Sequence, residues 1–147
     1  MKLIHTLAFI ALVLPILATR LDLYHSADSM TMCMKKFDVT WELMFGMHTL
    51  ESLNRTKPDD VQRIGCVTRC KLQDAGHLHD DTTIAAAYEK KSRDDFERRN
   101  NYMRNDLDDK IKHIRKCAND LKADEKYDKC IYAYKMEKCV QRHGVYF

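Results

Sequence analysis

The stretch Lys57-Pro58-Asp59-Asp60-Val61-Gln62-Arg63-Ile64-Gly65-Cys66-Val67-Thr68-Arg69-Cys70 reads as a helix that presents two cysteines on one face. Pro58 stands in the first turn, where its missing N–H goes unnoticed, and Asp59 and Asp60 lie beside the positive end of the helix dipole. At ~100° per residue, Cys66 and Cys70 sit about 40° apart and point at a common neighbour. Each should therefore reach out to another element. Cys130 and Cys139 are the opposite case: nine residues of helix turn through ~900°, which places them on opposite sides of any helix carrying both. Six cysteines allow 15 pairings; excluding Cys66 with Cys70 and Cys130 with Cys139 removes five, and geometry alone leaves the rest open.

Oxidised cysteines are expected because the chain of 147 residues opens like an exported one. Met1 to Ala18 holds 14 of the 66 apolar residues and a single charge, Lys2, with an apolar run from Leu7 to Leu17 and a small residue at its end. This is the build of a secretory signal peptide over residues 1–18, cut after Ala18 or Thr19, and the run falls short of the ~20 apolar residues a membrane span needs. Residues 19–147 then form a single domain of 129 residues, 40% apolar and 36% charged, with a net charge of +2. A secreted chain of this size is expected to pair all six thiols into three disulfides. Lys and Arg alternate with Asp and Glu, as in Lys90 to Arg99, so the charges read as solvated helix faces, and neither nucleic acid nor an anionic membrane is an expected partner.

Breakers are scarce beyond residue 18, with only Pro58, Gly46, Gly65, Gly76 and Gly144, so long helices are the default. A first helix from Asp22 to Lys36 carries Leu23, Met30, Cys33 and Met34. Thr40 caps a second through Leu53, with Trp41, Met44, Phe45 and His48 on one side, although Gly46 weakens it. The third runs from Pro58 to a stop near Gly76, and His77-Leu78-His79-Asp80 reads as a loop. Thr82 or Thr83 caps a fourth helix through Ala85, Ala86, Ala87 and Tyr88. Met103, Leu107, Ile111, Ile114 and Cys117 recur at spacings of four, four, three and three on an otherwise charged fifth helix, which turns Cys117 into the core. The sixth, from Tyr127 to Gly144, is apolar on two faces and should be buried between neighbours. The expected fold is all-α.

The cysteine spacing carries a family resemblance. Cys33 is followed after 32 residues by Cys66, after three by Cys70, after 46 by Cys117, after 12 by Cys130 and after eight by Cys139. This resembles the insect odorant-binding proteins, the pheromone-binding and general odorant-binding family, in which three residues separate the second and third cysteines and eight the last two. The resemblance implies a six-helix, three-disulfide fold with the pairs Cys33–Cys70, Cys66–Cys130 and Cys117–Cys139, enclosing an apolar cavity. It further implies a secreted carrier that takes small hydrophobic odorants, pheromones or fatty-acid-like molecules through an aqueous fluid such as sensillar lymph to an olfactory receptor, as a monomer or weak homodimer. By position relative to the cysteines, the expected lining is Met44, Leu50, Leu53, Leu72, Ile84, Tyr88, Met103, Leu107, Ile131 and Tyr134; plain core is the alternative for each.

Two features depart from the family pattern. Only eight residues follow Cys139, too few for a long inserted tail, although Val145, Tyr146 and Phe147 can close one wall of the cavity. The run from Glu89 to Asn101 is unusually charged, which predicts a smaller or more polar cavity and keeps open a non-olfactory carrier of a more polar ligand. Gly76-His77-Leu78-His79 resembles the histidine loop of moth pheromone-binding proteins; His77 and His79 are either a pH switch that weakens ligand binding in acid or two solvated loop residues. Asn54-Arg55-Thr56 is a glycosylation sequon at Asn54. A zinc site of Cys66, Cys70, His77 and His79 conflicts with an oxidising destination. No phosphate loop, Gly-x-Ser-x-Gly elbow or His-Glu-x-x-His pair occurs, so neither an enzyme nor a cofactor is expected. The competing class is a disulfide-rich secreted interaction or defence protein without a cavity.

Overall fold

The computed structural model describes residues 28–46, 57–98, 104–122 and 128–145. Six helices and no strand are found among them: α1 (residues 28–36), α2 (Trp41–Gly46), α3 (Pro58–Asp74), α4 (Ile84–Arg98), α5 (Arg104–Asp120) and α6 (Lys129–Arg142). The fold is all-α.

Local chemistry sets the helix ends. Thr40 caps α2 through its hydroxyl oxygen, which accepts from the Leu43 N–H at 3.3 Å. At α4 the cap is Thr83, whose hydroxyl oxygen accepts from Ala86 N–H at 3.2 Å. α3 begins on Pro58 after an extended Lys57 and closes through Gly76, where φ is +68° and the His77 and Leu78 N–H groups both return to the Leu72 carbonyl. The cap of α6 is Asp128, whose carboxylate accepts from the N–H groups of Cys130 (2.7 Å) and Ile131 (2.8 Å). α4 continues ten residues beyond Tyr88, supported by the i,i+4 pairs Lys90–Asp94 and Lys91–Asp95. The continuations of the first and second helices to Asp22 and Leu53 lie outside the described residues.

α6 is the axis of the molecule. Tyr132, Ala133, Met136 and Val140 on one side pack with Leu72, Leu78, Ile84, Ala87, Tyr88, Ile114, Cys117 and Val145, joining α3, α4 and α5. On the other, Tyr134 joins Cys33, Met34, Val39, Met44, Ile64 and Val67 from α1, α2 and α3. This is the two-faced burial expected of that helix, and Cys117 is fully buried in the first cluster. α3 and α6 make the most extensive helix contact. Gly65 permits it: a Cβ there would lie 1.8 Å from the Cys130 carbonyl oxygen.

Three disulfides join Cys33 to Cys70, Cys66 to Cys130 and Cys117 to Cys139, the three pairs that the family resemblance implied. They tie α1 to α3, α3 to α6 and α5 to α6. α4 carries no cysteine. Its links to neighbours are packing and polar contacts, among them the two-pronged bond of Arg115 on α5 to Glu89, with both distances 2.9 Å. After α6, Gly144 (φ +74°) turns the chain back, and Val145 is buried in the first cluster, its N–H bonded to the Val140 carbonyl at 3.1 Å.

Candidate functional site

A cavity of about 750 Å³ opens between α3, α4 and α6, with Ser29 of α1 at its edge. That volume lies in the usual range for small-molecule sites. The lining follows helix periodicity. Lys71 and Leu72 stand three and four residues after Thr68 on one face of α3, with Ala75 at its C-cap, and Tyr88, Lys91, Asp94 and Arg98 recur every three or four residues along α4. Glu137 of α6 and His77 of the α3–α4 loop complete the inner surface, while Asp74 and Glu97 stand exposed at the rim.

The inner wall is polar but largely self-satisfied. Tyr88 is 1% exposed, and its hydroxyl donates a short hydrogen bond to Glu137 Oε2. Burial, together with the Glu137 charge, pushes the Tyr88 hydroxyl well above the usual tyrosine pKa, so it stays a donor. The second Glu137 oxygen accepts from Gln141 Nε2 at 2.7 Å. Burial draws the Lys71 ammonium below the ordinary lysine value, opposed by attraction to Glu137 and helped by repulsion from Lys91.

His77 is 6% exposed, with Nδ1 3.3 Å from an Asp94 oxygen that also pairs with Lys90 at 2.7 Å. Two influences compete on its ring. Burial, with the charges of Lys90 and Lys91, lowers its pKa more than Asp94 and Asp95 raise it, so the imidazole is neutral at neutral pH. His79 is exposed and outside the lining. The pair of solvated loop histidines allowed by the sequence is therefore corrected at His77, which the Leu72 carbonyl turn folds inward.

Of the expected lining residues, Leu72 and Tyr88 face this cavity. Met44 and Tyr134 are instead packed in the second core cluster and Ile84 in the first, because their stripes meet neighbouring helices directly. Leu107 and Ile131 are half-buried and do not line it either. Leu50, Leu53, Met103, Phe147 and the sequon at Asn54 lie outside the described residues. Lys71 and Glu137 were not foreseen: each is one residue from a core position, Leu72 and Met136, and so sits at the margin of a buried stripe. The charged run after Tyr88 predicted a more polar cavity, and it supplies Lys91, Asp94, Glu97 and Arg98 to the lining.

Cys66 and Cys70 are each bonded to a sulfur on another helix, which withdraws both from metal binding. The same holds for Cys117 and Cys139 beside His143. No helix among the described residues is long and apolar enough to cross a membrane.

No curated protein and no solved structure matches the chain. The family model described as the PBP/GOBP family matches residues 25–143, which takes in all six cysteines, the three bridges and every wall of the cavity. The chain belongs to the PBP/GOBP family, the pheromone-binding and general odorant-binding carriers.

Proposed function

We propose that the protein is a secreted carrier that holds a small, largely apolar molecule in the cavity between α3, α4 and α6 and moves it through an aqueous fluid, to an olfactory receptor where the tissue is sensory. The observation that carries this reading is a ligand-sized space beside two complete cores, inside a helical frame closed by three disulfides. A frame of that kind can keep a space open that close packing would otherwise fill. The same space weighs against a defence or interaction protein without a cavity. A signal peptide over residues 1–18 and export to an extracellular fluid fit the disulfides.

The test is displacement of the fluorescent probe N-phenyl-1-naphthylamine by volatile alcohols, esters and acids, with mass spectrometry of small molecules co-purified with the natively expressed protein. Micromolar displacement supports the carrier; failure of the probe and of every competitor to bind the folded protein overturns it. A second reading, a non-olfactory carrier of a more polar ligand, draws on the charged groups in the wall. The co-purified molecule distinguishes the two.

A further inference from the structure

The charges in the cavity wall are unevenly satisfied. Lys91 and Arg98 both turn to Asp95, at 3.2 and 2.6 Å. Asp94 is held by Lys90, and both oxygens of Glu137 are engaged by neutral donors, the Tyr88 hydroxyl and the Gln141 amide. Asp74 and Glu97 face water. Lys71 alone combines partial burial with an open valence: among the described residues, no carboxylate lies within ion-pair distance of its ammonium. A positive charge drawn out of water is costly until an anion meets it, and a hydrogen bond between two ions is about twice as strong as a neutral one.

We propose that the cavity selects ligands with an anionic head group, an alkyl carboxylate whose carboxyl pairs with Lys71 Nζ while its chain lies against Leu72, Ala75 and the Tyr88 ring. This rests on the carrier reading and narrows its ligand class. A cationic amine would share the cavity with the Lys71 and Lys91 ammoniums, and each Glu137 oxygen already accepts a hydrogen bond. A neutral alcohol of equal length gains the same chain contacts but leaves the ammonium without a counter-charge.

The experiment compares dodecanoate, dodecanol and dodecylamine as competitors of N-phenyl-1-naphthylamine at neutral pH, on the wild type, Lys71→Met and Lys71→Arg, each checked for helix content and three disulfides. In the wild type, dodecanoate is expected to bind about ten-fold more tightly than dodecanol, equivalent to about 1.4 kcal/mol. Lys71→Met should bring the acid to within about two-fold of the alcohol, whereas Lys71→Arg should keep the preference. Equal binding of acid and alcohol in the wild type, tightest binding of the amine, or an acid preference that survives Lys71→Met overturns the assignment. The wild-type comparison decides even if a variant misfolds. Alcohol binding without acid preference removes the head-group assignment alone; no binding of any probe removes the carrier reading as well.

Discussion

Replacing Gly65 with Ala tests the packing on which the molecule turns. The added methyl would stand 1.8 Å from the Cys130 carbonyl oxygen and 2.6 Å from its carbon, so α3 and α6 must part by more than an ångström. Backbone cannot rotate aside as a side chain can. The adjacent residue, Cys66, is bonded to Cys130 itself, with the two Cα atoms 4.6 Å apart, so the helices are pinned where they would have to separate. Overpacking usually costs about 1 to 3 kcal/mol, and a backbone clash beside a covalent tie belongs at or above the top of that range, about 4 kcal/mol. Ala in place of a mid-helix Gly returns about 1 kcal/mol of propensity. The net loss is then about 3 kcal/mol, a large part of the stability of a small domain and about 10 °C in melting temperature. Urea unfolding followed by circular dichroism measures it. Gly46→Ala is the control, because a Cβ there meets nothing within 4 Å and should be neutral or slightly stabilising. A Gly65→Ala protein as stable as the wild type would refute the reasoning.

Removing the bridges should rank by loop length: Cys66→Ala with Cys130→Ala, which opens a separation of 64 residues, should cost about 1 kcal/mol more than Cys117→Ala with Cys139→Ala, which opens 22, and equal losses would contradict an entropic role. Asp128→Ala should lose about 1 kcal/mol at neutral pH as the first turn of α6 loses its cap; hydrogen bonds from Ile131 and Cys130 hold the Asp128 carboxyl below its usual pKa, so this contribution is present above pH ~4 and disappears as acid protonates it. His77 has its folded pKa lowered by burial, so the unfolded chain takes up its proton first, and the contribution of His77 to stability is full above pH ~6.5 and lost as pH falls below it. His77→Gln should therefore flatten the urea midpoint between about pH 7 and pH 5, and an unchanged pH dependence would show that other groups carry it.

Much of the fold was legible because it is written in punctuation and covalent chemistry. Pro58, Gly76, Gly144, Thr40 and Thr83 mark helix ends through backbone effects that act within a few residues, and the spacing of six cysteines resembles that of a family whose pairing the structure contains. The Asp128 cap escaped notice because the apolar pattern of the sixth helix takes in Tyr127, which places Asp128 inside the helix and not at its start. The site was harder. Apolar stripes at Met44, Ile84 and Tyr134 announce burial, but periodicity does not say whether a buried face meets another helix or a space. Here the stripes are spent on two cores, and the space falls to their margins, where Lys71 and Glu137 lie. Only the relative placement of three helices brings those two margins and the charged face of α4 together, and that placement is a long-range property.

The disulfides divide the cavity walls into two mechanical kinds. α3 and α6 are stitched to each other, α1 to α3, and α5 to α6, so their spacing is set when the bridges form. α4 is attached by its packed face, the Tyr88–Glu137 bond and the Glu89–Arg115 pair, all of which yield and re-form without breaking a covalent bond. The uncrosslinked helix is thus the cavity wall that can shift without straining a disulfide, the movable jaw of an otherwise stapled clamp.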